Sequence, residues 1–207
     1  WELSVDDFLE KAMYSIEQGC TEIHSVGGHH PNLPFDYYLR LLRTLKEQMP
    51  QVHLKFFTAS EIHHLARISK LSIKDTLEAL REAGLDSMPG GGAEIFAPET
   101  RDKICRGKIS AEVWLDIHCQ AHELGIPSNA TMLYGHIETT EDRVDHLIRL
   151  RETQDESGGF ITFIPLAFHP ENTRLGHLPS TSGIMDLRNI AVSRLMLDNF
   201  PHIRAYW

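Results

Sequence analysis

Residues 160–168 read FITFIPLAF, an apolar run without a single charged side chain. The run is far shorter than the roughly 20 residues that cross a bilayer, and its continuous apolar character is typical of a strand buried on both faces of a parallel sheet. The segments on either side, residues 140–155 and 184–199, carry apolar residues at helical spacing. A strand with a helix before and after it predicts an α/β fold.

The same alternation of strand and helix extends in both directions along the chain. Helical connectors of this length are the pattern of right-handed βαβ crossovers, which place successive strands in parallel. The predicted strands are residues 21–26, 52–57, 85–88, 129–134, 160–168 and 202–207. The predicted helices are residues 4–18, 35–49, 60–69, 73–83, 98–106, 110–124, 140–155 and 184–199.

Six parallel strands predict a partial (β/α) barrel of the TIM type. A complete eight-stranded barrel takes about 250 residues, whereas this chain has 207. No segment rich in Pro, Gly and Ser divides the sequence. We therefore expect residues 1–207 to form one partial barrel domain.

Composition and charge restrict the partners and the compartment. Lys and Arg number 20 and Asp and Glu 29, a formal net charge of −9, so no excess of cations is available for a phosphate backbone. The chain shows neither a signal peptide nor a membrane span, and its three cysteines are widely spaced. We expect a cytoplasmic protein that binds a small molecule rather than nucleic acid or a membrane.

In a parallel barrel the functional groups lie on the loops that follow the strands. These loops combine glycines, which let a ligand approach the backbone, with histidine and glutamate side chains. They contain Gly27, Gly28, His29 and His30, then Glu61, then Gly90 to Gly92 and Glu94, then Gly135, His136 and Glu138, then His169 and Arg174.

The histidines of these loops permit two interpretations. His29, His30, His136 and His169 could bind a metal with Glu94 or Glu138, as in a metal-dependent barrel hydrolase. They could equally bind an anionic substrate or cap helices, and no HxH or HExxH spacing favours a metal. A third alternative is a non-catalytic barrel fragment that serves as a binding module. The histidines within the helices, among them His118 and His146, are expected to be solvated or to support other groups.

Five motifs, in order along essentially the whole chain, resemble the radical SAM enzymes of menaquinone biosynthesis. They are GGHHPNLPFDYYLRLLRTLK (27–46), SMPGGGAEIF (87–96), ATMLYGHIET (130–139), RLRETQDESGGF (149–160) and IPLAFHPENT (164–173). Within this family the motifs are most similar to those of the aminodeoxyfutalosine synthases. A sibling group, the cyclic dehypoxanthinyl futalosine synthases, is the alternative.

The resemblance implies a barrel that binds S-adenosylmethionine (SAM) on a [4Fe-4S] cluster. In the family a CxxxCxxC loop holds the cluster, but Cys20, Cys105 and Cys119 have no cysteine neighbours at that spacing. The expectation is therefore a fragment, shortened at the N-terminus and also at the C-terminus, that lacks the cluster loop, holds no metal and is inactive alone.

The resemblance also assigns site residues. Gly27 and Gly28 match the glycines of a GGE-type turn that meets the methionyl amine of SAM, with His29 in place of the Glu. Gly135 and Glu138 match a GxIxGxxE stretch along the adenine, in which Thr131 and Leu133 replace the first Gly and the Ile. Ile164 is expected beside the adenine, and Glu94 at a ribose hydroxyl.

The implied reaction adds a 5′-deoxyadenosyl radical to 3-[(1-carboxyvinyl)oxy]benzoate, an aryl enol ether dicarboxylate, and yields aminodeoxyfutalosine. A dianionic substrate needs local donors in a chain of charge −9. His29, His30, His169 and Arg174 are the expected donors. A reductant such as flavodoxin or ferredoxin is the protein partner that the family implies.

Overall fold

The computed structural model describes residues 2–206, an α/β chain in which helices and parallel strands alternate. In this range the helices are α1 Val5–Glu17, α2 Phe35–Gln48, α3 Ala59–Ser69, α4 Ile73–Ala83, α5 Pro98–Ile104, α6 Ala111–Glu123, α7 Thr140–Ser157 and α8 Gly183–Met196. The strands are β1 Glu22–Ser25, β2 His53–Phe56, β3 Ser128–Tyr134, β4 Phe160–Ala167 and β5 His202–Ile203.

Helix starts follow local capping chemistry. The Ser4 hydroxyl accepts the backbone N–H of Asp7, and the Asp7 carboxylate accepts the N–H of Ser4, which completes a capping box at α1. Thr139 and Asp142 form the same box at α7. Such caps satisfy backbone N–H groups that the first turn leaves without partners, and they fix where each helix begins.

The strands run in parallel, as predicted. β1 pairs with β2, and β3 pairs with β4, which pairs with β5. Two isolated parallel bridges, from Lys55 to Ser87 and from Met88 to Ser128, place residues 87–88 between β2 and β3 and so connect the two groups of strands. The predicted α/β partial barrel is confirmed.

Two predicted strands are reduced to two paired residues each. In residues 85–88 only the two isolated bridges form, because the N–H groups of Asp86 and Ser87 both bond to the Leu54 carbonyl and Pro89 has no N–H to continue the ladder. The strand expected over 202–207 is limited to His202–Ile203, which pair with Thr162 and Phe163. Trp207 lies outside the described residues.

The two faces of the sheet have different environments. On the outer face Leu54 and Phe56 are buried, Phe56 lies 5.8 Å from the Phe8 ring of α1, and Ser128 bonds to His118 and His122 of α6. Because side chains alternate along a strand, the neighbouring positions point to the opposite side. We call this opposite side the inner face; it comprises Glu22, His24, His53, Lys55, Ser87, Asn129, Thr131, Leu133, Thr162, Ile164 and Leu166.

Among residues 2–206, no helix combines the length and the apolar character that a membrane crossing requires.

Candidate functional site

The turn after β1 is built around the Glu61 carboxylate. Gly27 and Gly28 donate their backbone N–H groups to Oε1 of Glu61 at 2.6 and 2.9 Å. The other oxygen, Oε2, accepts the N–H and the hydroxyl of Thr58, both at 2.8 Å. Glu61 is only 5% exposed, so this buried carboxylate joins the end of β1 to the start of α3.

The geometry of this turn leaves oxygen atoms available for a ligand. Gly28 has φ +69°, a left-handed conformation that glycine adopts without steric cost. The N–H groups of Gly27 and Gly28 are both used by Glu61. Their carbonyl oxygens accept no hydrogen bond from any described residue, so they can receive the N–H groups of an ammonium ligand.

The adjacent histidines are held by their own surroundings. His29 lies 2.9 Å through Nε2 from the Ser60 carbonyl, and its ring stacks on His64 at 4.8 Å. His30 Nδ1 accepts the N–H groups of Asn32 and Leu33, which fixes the turn into α2. The two rings line different cavities, of about 360 Å³ for His29 and about 390 Å³ for His30. The structure therefore does not bring these two predicted substrate ligands together.

Arg101 of α5 organises the glycine-rich loop, residues 89–96. Its guanidinium is buried and donates to four backbone carbonyls, those of Gly92, Ala93, Ile95 and Ile109. Arg has five N–H donors in a fixed planar arrangement and remains charged in proteins, so it can bind several carbonyls at once. No motif in the sequence distinguished Arg101 from a solvated helix residue.

Glu94 lies within this loop, in a left-handed conformation with φ +48°. Its backbone carbonyl accepts the N–H of Leu133 at 2.7 Å, which ties the loop to β3. Its carboxylate pairs with Lys108 at 2.6 Å. A partly exposed ion pair of this kind is weak, so the carboxylate can exchange Lys108 for a ligand hydroxyl at little cost.

The turn after β3 is closed by Glu138. Its two carboxylate oxygens accept the N–H groups of Gly135 and His136, at 2.7 and 2.8 Å. Gly135 has φ +86°, and a Cβ on it would lie 2.2 Å from Cγ2 of Thr181. The Glu138 side chain is 3% exposed and lies 3.1 Å from the His136 ring, whose pKa is lowered chiefly by burial. Glu138 therefore shapes the turn rather than presenting a free carboxylate.

The remaining predicted site residues follow or line β4. Ile164 is buried on the inner face, opposite Thr131 of β3. His169 and Arg174 are exposed on the connection after β4. Among residues 2–206, no hydrogen bond or ion pair links either of these two side chains to another predicted site residue.

The residues present fit SAM but not the cluster. The free carbonyls of the Gly27–Gly28 turn suit an amine. Cys20 is an exposed free thiol at the opposite end of β1, and Cys105 and Cys119 are free, half-buried thiols in other parts of the fold. Within the described part of the chain, no three His, Cys, Asp or Glu side chains converge as metal ligands.

Two helical histidines are buried core residues, so the expectation that they are solvated is wrong, and the alternative of a supporting role remains. His118 and His146 are completely buried, and His146 stacks on Phe96 at 3.8 Å while bonding to the Thr131 carbonyl. His118 packs on Trp114 and bonds to Ser128. Burial lowers the pKa of both rings, so both are held neutral.

Comparison with curated proteins finds relatives that are longer than this chain. An aminodeoxyfutalosine synthase of Thermus thermophilus is 58% identical over 100% of this chain and 57% of its own length. One of Streptomyces coelicolor is 47% identical over 96% of this chain and 54% of its own length. The chain thus spans a little more than half the length of these relatives.

Relatives with other activities are less similar. A 5-amino-6-(D-ribitylamino)uracil--L-tyrosine 4-hydroxyphenyl transferase of Methanopyrus kandleri is 41% identical over 100% of this chain and 58% of its own length. A cyclic dehypoxanthine futalosine synthase of Streptomyces coelicolor is 40% identical over 100% of this chain and 52% of its own length. Identity near 40% is therefore shared by proteins with different named activities.

Solved structures and a family model agree on the fold. Methylornithine synthase superposes with a TM-score of 0.73 at 18% identity, over 98% of this chain and 55% of its own. SuiB of Streptococcus suis bound to S-adenosylmethionine superposes with a TM-score of 0.65 at 14% identity, over 99% of this chain and 44% of its own. Residues 1–150 match the model of the radical SAM superfamily. The chain therefore belongs to the radical SAM superfamily, whose members use S-adenosylmethionine and a [4Fe-4S] cluster.

Proposed function

We propose that the whole protein to which this chain belongs is an aminodeoxyfutalosine synthase. It would join the 5′-deoxyadenosyl group of SAM to 3-[(1-carboxyvinyl)oxy]benzoate in the futalosine route to menaquinone. The observation that carries the proposal is the 58% identity with the Thermus thermophilus enzyme over the full length of this chain. The drop to 41 and 40% for relatives with other named activities supports this choice over the sibling reaction.

Our proposal for SAM begins at the Gly27–Gly28 turn. When bound, SAM supplies the adenosyl group. The carbonyl oxygens of Gly27 and Gly28 accept hydrogen bonds from its methionyl amine. Glu61 accepts the N–H groups of the same two glycines and thereby keeps their carbonyls oriented. Glu61 is thus a positioning residue for the SAM site.

Other residues of the chain contact the remaining parts of SAM in this proposal. Glu94 accepts a ribose hydroxyl, and Gly135 and Ile164 lie along the adenine. Glu138 acts through the turn that it closes, because both of its oxygens are already bonded to backbone N–H groups.

For the substrate we propose an anionic aryl enol ether that bears two carboxylates. His29, His30, His169 and Arg174 remain its proposed ligands at the loops. His29 and His30 already hydrogen-bond within the fold, whereas the exposed side chains of His169 and Arg174 form no hydrogen bond with another described residue.

Four further features complete the proposal. The reductant is a flavodoxin or a ferredoxin, and the compartment is the cytoplasm. Residues 1–207 form one domain, a partial barrel without an internal boundary. A cluster is needed for activity, and the described cysteines of this chain do not fit one.

The proposal is tested with the complete protein, purified anaerobically with its cluster. The protein is incubated with SAM and a chemical reductant, in one reaction with 3-[(1-carboxyvinyl)oxy]benzoate and in a second with dehypoxanthine futalosine. Products are separated and identified by mass spectrometry. We expect a product with the mass of aminodeoxyfutalosine. Turnover of dehypoxanthine futalosine with no consumption of the aryl enol ether would instead identify the sibling activity and refute the proposal.

A further inference from the structure

The inner face of β1 and β2 carries a buried cation that none of the loop assignments uses. Lys55 lies on β2, and its side chain is 11% exposed. Its ammonium donates to both carboxylate oxygens of Glu22 on β1, each at 2.8 Å. Because an ammonium has three N–H donors, one donor remains after these two bonds.

This ion pair contributes little to stability by itself. The cost of removing two charges from water offsets most of their attraction, so a buried pair is weak evidence for a stabilising role. Glu22 is more accessible than Lys55, with 42% of its side chain exposed. The pair therefore keeps a cation on the inner face of a chain whose net charge is −9.

Polar groups extend from Lys55 across the inner face. His24 is aligned with Lys55 across the two strands, and Lys55 is bridged to Ser87, whose hydroxyl lies 2.7 Å from Nε2 of His53. A packed barrel interior is filled mainly by branched apolar side chains. The polar composition at this level, in contrast, is suited to a ligand.

Asn129 gives an independent indication of a ligand. This residue of β3 is 5% exposed, yet its Oδ1 has no hydrogen-bond partner among the described residues. Buried polar atoms are nearly always paired, because an unpaired one costs roughly 1–3 kcal/mol. Asn129 lies on the strand next to Ser87 and on the same inner face. A half-turn of its amide places the NH2 group where Oδ1 lies, and this group can donate to a carboxylate of a ligand on the inner face.

We propose that Lys55, held by Glu22, binds a carboxylate of the substrate on the inner face, with the side-chain amide of Asn129 as a second polar contact. This inference rests on the proposed function, which supplies an aryl dicarboxylate as the substrate. It differs from the loop assignments because it places one carboxylate inside the sheet, below the ends of the strands. Lys55 is a specificity-determining residue in this arrangement.

The test measures binding of a simple aryl dicarboxylate, isophthalate, to the complete protein by calorimetry. We expect Lys55→Met to weaken isophthalate binding at least tenfold. Lys46→Met is the matched control, because Lys46 forms a comparable ion pair with Asp86 at 2.6 Å away from the inner face. The Lys46→Met variant should bind isophthalate with the same affinity as the wild type.

A second variant separates ligand binding from damage to the fold. Glu22→Gln removes the competing carboxylate and frees the Lys55 ammonium, so isophthalate should bind more tightly, by threefold or more. Isophthalamide, which is neutral, should bind poorly to all variants. Equal isophthalate affinity in the wild type and Lys55→Met, or no binding by the wild type, would overturn the inference. Formation of aminodeoxyfutalosine by the wild type would leave the proposed function standing in either case.

Discussion

The backbone N–H of Gly27 lies 2.6 Å from Oε1 of Glu61, so the turn after one strand is held by the first turn of the helix after the next strand. The same carboxylate completes the capping box of that helix with Thr58. One side chain thereby aligns two neighbouring loops at the carboxyl ends of β1 and β2. The proposed SAM site depends on this alignment.

Replacing Glu61 with Gln should destabilise the fold and weaken SAM binding together. The amide that replaces one oxygen faces backbone donors, and each unsatisfied buried N–H costs roughly 1–3 kcal/mol. We expect a loss of about 2 kcal/mol in urea unfolding and a lower affinity for SAM. Glu47→Gln, on the exposed side of α2, is the control and should change neither. An unchanged unfolding midpoint in Glu61→Gln would show that the carboxylate does not hold the turn.

Replacing Arg101 with Lys should loosen the glycine-rich loop. Lys keeps the charge but loses the planar arrangement of donors that reaches four carbonyls. We expect faster amide hydrogen exchange across residues 90–96 and a stability loss on the order of 2 kcal/mol. Lys103→Arg, at an exposed position of the same helix, is the control. Wild-type exchange rates in Arg101→Lys would refute the role of the guanidinium.

Acid should destabilise the chain through its buried histidines. Burial lowers the pKa of His122 to about 4 and that of His146 to about 3, whereas an unfolded histidine titrates near 6.5. Below about pH 6.5 these histidines bind protons in the unfolded chain but not in the folded one. The free energy of unfolding is therefore highest above this pH and decreases as the pH falls. Each such histidine lowers the free energy of unfolding by on the order of 1.4 kcal/mol per pH unit between about pH 6.5 and 4.

This dependence is measured as the urea midpoint at pH 7.5, 6 and 5. His122→Gln should reduce the loss of stability on acidification, since the neutral amide does not titrate. His63→Gln, an exposed position on α3, should not reduce it. A urea midpoint that stays constant from pH 7.5 to 5 would contradict the buried, neutral state of these rings.

The sequence predicted the elements better than the contacts between them. The apolar run 160–168 and the helices on either side of it correctly indicate a parallel α/β sheet, because both signals are local. The Thr58 to Glu61 spacing is also a local capping signal. The bond from Glu61 to Gly27 could not be predicted in the same way, since it joins residues 34 positions apart.

Burial was the property that local patterns predicted least well. Arg101, His118 and His146 have polar side chains within amphipathic helices, yet all three are buried. The loop carbonyls around Arg101 and the aromatic rings of Trp114 and Phe96 beside the histidines are tertiary contacts. The strand predicted at 85–88 was reduced to two bridges because Pro89 ends the ladder.

The central claim is that the Gly27–Gly28 turn forms part of the SAM site, and the SAM dissociation constant of two matched glycine variants tests it most directly. Gly28 and Gly158 have φ +69° and +65°, and a Cβ on either would meet no heavy atom within 4 Å. Alanine therefore introduces the same backbone strain at both positions, roughly 1–2 kcal/mol. The complete protein should lose SAM affinity at least tenfold in Gly28→Ala and keep wild-type affinity in Gly158→Ala. Wild-type SAM affinity in both variants would contradict the account.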